Sequence, residues 1–282
     1  MQKRVTIAIP ASVVSDVPHL REKTSKVGLI GRAAAIFRID EITVFPDNPK
    51  ENQTREMKLI KLLLSYMETP QYLRRRLFKL EPELRYAGIL PPLRTPHHPL
   101  NRNASQLVEG EFREGITLST GNEGTSVDIG VEQPAIIATN RLPPGKRVTL
   151  KVSRIGRRVE AELVGRGDAP AYWGYCVSEG GSLAEILKSG GFDCTIATSK
   201  YGVSFSDVAE EMFAKWNRSK TALIAFGAPN QGLHEIARRE GLDLESAFDF
   251  VVNTVPLQGT ETVRTEEAVI ASLAILNLRF RS

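Results

Sequence analysis

The chain has 282 residues and a mass of 31.2 kDa, with 41% hydrophobic and 25% charged residues and a net charge of +4, a composition that suits one large folded domain or two ordinary ones. No apolar run reaches membrane-spanning length, since even Ile60–Leu64 is broken by Lys61, and the start Met1-Gln2-Lys3-Arg4 followed by Val5–Ile9 lacks the apolar stretch of a signal peptide, so no membrane association and a cytoplasmic location are expected. Cys176 and Cys194 stand eighteen positions apart with no Cys or His at ligand spacing, which excludes a zinc site and a metal role.

Val5–Ile9 reads as a strand, followed by a helix with Val27, Ile30, Ala34 and Phe37 on one face and a second strand at Glu41–Phe45, a βαβ pattern. Residues 54–67 carry Met57, Ile60, Leu64 and Met67 at helical spacing, and Thr69-Pro70 is expected to restart a helix as N-cap and first-turn proline. From about residue 85 prolines and glycines punctuate short β-rich pieces at 115–118, 126–130, 135–139, 147–153 and 159–164, which predicts a small antiparallel barrel of the oligonucleotide-binding type. After Tyr175 the alternation resumes: helix 182–188, strand 193–197, helix 206–215, strand 221–226, helix 232–239, strand 248–252 and a last helix at 268–278. Neither α/β portion completes a sheet alone, so the expectation is one discontinuous domain, 1–82 with 177–282, interrupted by a β insertion at 83–176.

Two turns in the last portion attract attention. The apolar strand 221–226 runs into Gly227-Ala228-Pro229-Asn230-Gln231-Gly232, the shape of a nucleotide cradle. Leu233 and His234, however, stand where a phosphate loop needs Lys and Ser/Thr, and no Gly-x-Gly-x-x-Gly follows the first strand. The second turn is the polar tail Asn253–Glu267, in which Pro256 and Gly259 bracket Gln258 and Thr265 is expected to cap the last helix. Glu261, Glu266 and Glu267 crowd that helix start and would compete with a bound phosphate, which argues for a ligand without phosphates. S-adenosylmethionine fits that description.

The tail 253–267 with Phe226-Gly227, the segment Gly31-Arg32-Ala33-Ala34-Ala35-Ile36-Phe37 and Glu68-Thr69-Pro70-Gln71-Tyr72-Leu73-Arg74-Arg75-Arg76 together resemble the SPOUT superfamily of knotted RNA methyltransferases, in its archaeal and eukaryotic branch with a β-barrel insertion. The resemblance runs over nearly the whole chain. It implies an α/β fold with a deep C-terminal trefoil knot, an OB-like insertion, a homodimer, and S-adenosylmethionine as cofactor held among three loops. Those loops map here to Thr198, Ser199, Tyr201 and Gly202, to Ala225, Phe226, Gly227 and Gly232, and to Asn253, Thr254, Pro256, Gln258, Gly259, Thr260, Val263 and Thr265.

The implied activity is S-adenosylmethionine-dependent methylation of ribosomal or transfer RNA at a base nitrogen or a ribose 2′-hydroxyl. The charge layout suits a polyanion: 15 basic against 10 acidic residues give +5 over 1–84, 12 against 9 give +3 over 85–177, and 10 against 14 give −4 over 178–282. RNA contacts are expected from Arg74, Arg75 and Arg76 and from Lys146, Arg147, Arg157 and Arg158 at hairpin ends, with Phe112, Tyr172 and Trp173 as stacking platforms. No histidine falls in the matched motifs, and a packing or loop role is expected for His97 and His98. Arg264 and Arg32 are the catalytic candidates, for stabilising charge on the nucleophile, with Glu261 or Glu267 as proton acceptor. A second reading stays open, a non-catalytic RNA-binding or assembly protein that keeps the cofactor fold.

Overall fold

A computed structural model describes residues 3–280; Met1 and Gln2, which open the N-terminal stretch read above, lie outside it. In chain order its elements are strand β1 (Arg4–Pro10), helix α1 (Leu20–Ile36), β2 (Glu41–Phe45), α2 (Thr54–Glu68), α3 (Gln71–Leu77), β3 (Phe112–Gly121), β4 (Gly124–Asp128), β5 (Ala135–Ile137), β6 (Arg147–Ile155), β7 (Val159–Val164), β8 (Cys176–Glu179), α4 (Leu183–Ser189), β9 (Cys194–Ser204), α5 (Phe205–Arg218), β10 (Thr221–Ala225), α6 (Leu233–Arg239), α7 (Leu244–Ala247), β11 (Phe250–Asn253) and α8 (Thr265–Phe280). They divide into two compact units, one of residues 1–67, 83–92 and 175–282, the other of 68–82 and 93–174. Relative to the boundaries expected from composition, 68–82 joins the barrel unit and 83–92 returns to the sheet unit.

The sheet unit is built on six parallel strands in the order β11-β9-β10-β1-β2-β8. β1 is buried from Val5 to Pro10, as a central strand covered on both faces must be, and its Ile7 stands between Ile224 of β10 and Ile42 of β2. Ala8, Phe45, Leu183, Leu223, Leu233 and Phe248 form part of the core beneath the strand ends. The chain leaves β1 toward β2 on one side, whereas it leaves β10 toward β11 on the other. Connections therefore diverge between β1 and β10, and in open α/β sheets the crevice outside the carboxyl ends at such a point is where ligands bind.

Two features of this sheet escaped the sequence. β8 is a short edge strand of mixed polarity, paired with β2. β9 runs well past Ala197, and its pairing with β11 jumps: Ala197 faces Val251 but Val203 faces Val252, so residues 198–202 bulge out of the ladder. The segment expected as a turn after the strand is this bulge.

In the barrel unit the strands close in the order β3-β4-β5-β7-β6, with β3 also paired to β6. Four pairings are antiparallel and one, β5 with β7, is parallel, which corrects the expectation of a wholly antiparallel barrel. Alternate residues fill the interior, among them Val127, Ile129, Leu150, Val152, Val159 and Ala161. α3 starts at Gln71 with Pro70 at the N-cap position and no side-chain cap, so Thr69 does not cap it; Thr69 is buried and takes a hydrogen bond from Arg147 (3.3 Å). α3 lays Tyr72 directly on Gly130, whose φ is +83° and where a Cβ would fall 2.5–2.7 Å from the Tyr72 ring, so only glycine satisfies both the backbone and the contact.

Candidate functional site

Three segments of the sheet unit converge on one cavity of about 850 Å³ at the carboxyl ends of β9, β10 and β11. The first is the bulge 198–202. Thr198 Oγ1 donates to Ala225 O (2.9 Å), pinning the bulge to the end of β10. Ser199 Oγ accepts from the Tyr201 N–H (3.1 Å) and shares a hydrogen bond with His234 Nδ1 (3.1 Å), whose Nε2 in turn meets Glu245 Oε1 (3.1 Å). These partners stand 35 and 11 positions away in sequence, so only the fold brings them to His234.

The second segment is the turn after β10. Phe226 is fully buried and its N–H bonds to Ala8 O (3.0 Å), while Ala228 and Gln231 bond each other's backbone (2.8 and 3.3 Å), closing the turn on Pro229-Asn230. At Gly227 a Cβ would sit 3.2 Å from Gln231 O and Gly232 Cα, so a side chain there would press on the turn's own backbone. Arg239 holds the turn from outside through Gln231 (2.6 Å) and Glu235 (2.7 Å).

The third segment is the tail after β11. Asn253 Nδ2 donates to Lys200 O (3.0 Å) and its Oδ1 accepts from the Val255 N–H (2.9 Å), Thr254 Oγ1 and Ser272 Oγ share a buried hydrogen bond (2.7 Å), and Gln258 Nε2 spans the Thr260 and Glu261 carbonyls (2.9 and 3.1 Å). The strained position between Pro256 and Gly259 is Leu257, exposed and at φ +54°, rather than the glycine. Thr265 does not cap the helix with its side chain: Thr265 Oγ1 donates to Gly227 O (2.8 Å), joining tail to turn, and Glu267 takes the Arg264 N–H instead (2.9 Å). Glu266 is buried and faces Lys26 (3.4 Å), itself paired with Asp16 (2.6 Å). The tail carboxylates thus do not line the cavity, whose acidic side chains are Glu235 and Asp243.

Of the cofactor residues expected, Thr198, Ser199, Tyr201, Gly227, Gly232, Asn253, Thr254, Gln258, Val263 and Thr265 line this cavity. Ala225 and Phe226 are core residues beneath it, and Pro256, Gly259 and Thr260 are not among its walls. The walls missed are chiefly 234–244 of α6 and the loop after it, which carry no motif. Arg32 and Arg264 do not line it either: Arg32 Nη1 donates to Pro92 O (2.9 Å), and Arg264 is exposed beside the tail.

In the barrel unit the basic candidates separate by environment. Arg75, Lys146 and Arg157 are exposed. Arg74 Nε bonds Thr69 O (2.9 Å), Arg76 pairs with Asp128 (2.7 Å) and Arg158 with Glu123 and Glu160 (3.0 and 3.3 Å). Arg147 is drawn inward between Glu68 (2.7 Å) and Glu114 (2.6 Å), a place no run of basic residues reveals. Trp173 is buried and donates to Glu114 (2.6 Å), which corrects its expected role as a stacking platform; its ring meets Phe112 edge-on.

Burial alone would raise the Glu68 carboxyl, but hydrogen bonds from His97 and Arg147 and the charges of Arg147 and Arg166 (2.7 Å) outweigh it and hold the group well below the usual carboxylate range. His97 and His98 both donate to Glu68 O (2.9 and 2.6 Å), in line with the packing role expected of them, and burial together with His97 brings His98 down to about 4. Among the described residues no group of His, Cys, Asp and Glu is arranged to hold a metal ion, and no helix is long and apolar enough to cross a membrane.

The chain thus combines a parallel α/β sheet, whose strand ends hold a cavity of the size a small-molecule ligand needs, with a closed five-stranded barrel. Residues 4–276 match the family model described as "Putative RNA methyltransferase", and the chain belongs to that RNA methyltransferase family. It is 36% identical over 291 residues to an uncharacterized protein of Halobacterium salinarum, covering 97% of this chain and 98% of that one. It is 34% identical over 304 residues to the human 28S rRNA (uridine-N(3))-methyltransferase, covering 96% of this chain and 77% of the human protein, and likewise 34% identical to the mouse enzyme of that name.

Proposed function

We propose that this chain is an S-adenosylmethionine-dependent methyltransferase that methylates a uridine of large-subunit ribosomal RNA at N3. The observation that carries the reading is the convergence of bulge, turn and tail on one cavity, each tied to another by a hydrogen bond: Thr198 to Ala225, Asn253 to Lys200, Thr265 to Gly227. The residues fit the cofactor. The cavity has room for a nucleoside with an amino acid tail, offers hydroxyl and amide side chains from Thr198, Asn253 and Gln258, and lacks the Lys-Ser/Thr pair of a phosphate clamp. Bound there, the cofactor would supply an already activated methyl group on a sulfonium.

What remains for the protein is alignment of the acceptor with that methyl, exclusion of water and management of one proton. The Ser199–His234–Glu245 chain fixes the bulge and the start of α6 in one orientation, so the wall is set before ligand enters. The barrel we assign as an OB-like RNA grip, with Arg75, Lys146 and Arg157 as its phosphate contacts. We further assign the sheet unit to the SPOUT type, with its tail threaded as a knot, and the working form to a cytoplasmic homodimer. Exposed Leu29 and Ile36 on α1 and Ile270 and Leu278 on α8, two helices that pack on each other, support the dimer.

Incubation with labelled S-adenosylmethionine and unmodified large-subunit rRNA transcribed in vitro should yield label in N3-methyluridine on nucleoside mass spectrometry. Calorimetry should show binding of S-adenosylhomocysteine and none of ATP. Tight ATP binding without a response to S-adenosylhomocysteine, or binding of both RNA and cofactor with no transfer, would overturn the reading.

A further inference from the structure

Of the chain's six tyrosines and two tryptophans only Tyr201 is exposed, at 74%. It belongs to the walls of the cavity at the strand ends and is still open to solvent, which places it at the rim. The bulge that carries it is fixed on both flanks: Ser199 Oγ accepts the Tyr201 N–H (3.1 Å), Asn253 Nδ2 donates to the Lys200 carbonyl (3.0 Å), and at Gly202 a Cβ would fall 2.6 Å from the Val251 carbonyl, so the segment lies close against β11. The ring touches little. Lys200 Nζ lies 5.1 Å from its centroid and His234 meets it edge-on, with centroids 6.1 Å apart. A braced backbone therefore presents a large aromatic ring that the core does not use, at the mouth of a ligand cavity. The charges there favour a polyanion. Lys200 and Arg238 are exposed, whereas of the two carboxylates in the walls Glu235 is offset by Arg239 (2.7 Å) and Asp243 is engaged by the Ser246 N–H (3.2 Å).

We propose that Tyr201 is the stacking platform for the acceptor uracil, which it holds at the mouth of the donor's own cavity, with Lys200 and Arg238 against the phosphates that flank the base; the inference rests on the methyltransferase reading above. The N3 atom of uridine lies on its Watson–Crick edge, so the acceptor has to be unpaired, and a base drawn out of its stack loses contacts that an aromatic side chain restores. Transfer also requires direct contact between N3 and the methyl group, so base and donor must share one cavity. At about 850 Å³ this one is near the upper end of the roughly 300–1,000 Å³ of ligand pockets, which leaves room for a base beside the cofactor. Because the bulge is tied to the Asn253 side chain and to the end of β10, the platform keeps a fixed position relative to the other two segments of the cavity.

The test uses the full chain with large-subunit rRNA transcribed in vitro. Tyr201→Ala should lower kcat/KM for rRNA about thirtyfold, with Tm unchanged and S-adenosylhomocysteine affinity within about twofold, and Tyr201→Phe, which keeps the ring, should recover most of the loss. Lys200→Ala should reduce the salt dependence of rRNA binding by about one unit of slope. Independently of turnover, rRNA transcribed with 5-iodouridine and irradiated with the unaltered chain and S-adenosylhomocysteine should crosslink to Tyr201, read by mass spectrometry of the peptide. If the unaltered chain methylates rRNA while Tyr201→Ala keeps kcat/KM within about twofold, the platform is wrong although the activity stands. A loss of S-adenosylhomocysteine affinity as large as the loss of rate would make Tyr201 a cofactor wall and overturn the proposal. If the unaltered chain transfers no methyl yet crosslinks at Tyr201, the platform stands and the activity fails. Crosslinks that omit Tyr201 overturn the platform in either case.

Discussion

Replacing Glu68 should destabilise the barrel unit more than any comparable surface change. Its carboxylate accepts from Arg147 through two nitrogens (2.7 and 3.2 Å) and from Arg166 (2.7 Å), and lies 3.2 Å from His97 Nε2. In Glu68→Leu, Arg147 keeps Glu114 (2.6 Å) and Arg166 keeps the Trp173 carbonyl (2.6 Å), so both guanidinium groups lose the Glu68 carboxylate while each keeps an acceptor. Breaking a buried pair from one side costs about 3–5 kcal/mol, and because Arg147 and Arg166 remain 23% and 32% exposed we expect the low end, about 3 kcal/mol. Glu68→Gln keeps an acceptor of the same shape and should cost about half as much. The chain's two tryptophans divide between the units, Trp173 in the barrel and Trp216 in the sheet, so urea unfolding followed by Trp173 fluorescence in a Trp216→Phe background isolates the transition. A loss under about 1 kcal/mol for Glu68→Leu at unchanged m-value would refute the assignment of the network as a structural anchor. The same assay gives a pH signature. His98 is held neutral in the folded state, down from 6.5 to about 4, so the unfolded chain takes up a proton first; stability is full above the ordinary histidine range, falls as pH drops from 6.5 toward 4, and levels off below. About 2–3 kcal/mol should be lost over that window, and His98→Asn should flatten it.

Gly130→Ala forces a Cβ into the Tyr72 ring at positive φ and should cost about 2–4 kcal/mol, read as a lower Tm of the barrel transition, with Tyr72→Ala in the same chain relieving part of the loss. Cys194 is buried, and burial with the charge of Asp249 pushes its thiol up to about 11, whereas Cys176 is exposed; one equivalent of Ellman's reagent should react quickly at mildly alkaline pH and the second only on unfolding. Arg75→Ala and Arg157→Ala should each reduce the salt dependence of RNA binding by about one unit of slope with Tm unchanged, while Arg147→Ala should lower Tm.

The α/β alternation was readable because β1, β2 and β10 are short runs dominated by apolar and β-branched residues and the long helices keep an apolar stripe, signals that survive without any partner in view. The tail was readable as a polar turn at a strand end because its Pro-Gly punctuation is local, and the structure brings part of it to the strand-end cavity. What failed was whatever depends on a partner distant in sequence. β8 is apolar enough to be a strand only beside β2, more than 130 positions away, and the bulge 198–202 exists because β11 pairs on both sides of it. Arg147 stood out by its charge alone, and its ion pair with Glu68, 79 positions earlier, was not readable. Arg32 and Arg264 were singled out by motif and charge, and neither lines the strand-end cavity.

The interleaving of the sheet also governs how the chain can be made. β1, at residue 4, finds its β10 partner only at residue 221, whereas every contact internal to the barrel unit is available once residue 174 has been synthesised. During translation the amino-terminal βαβ segment must therefore wait, with one edge of β1 unpaired, while some 180 further residues emerge. Late closure of so distant a pairing is slow and exposes strand edges to other chains. The finished sheet hides this order of events, but a nascent chain carries the open edge of β1 until the last third of the protein has emerged.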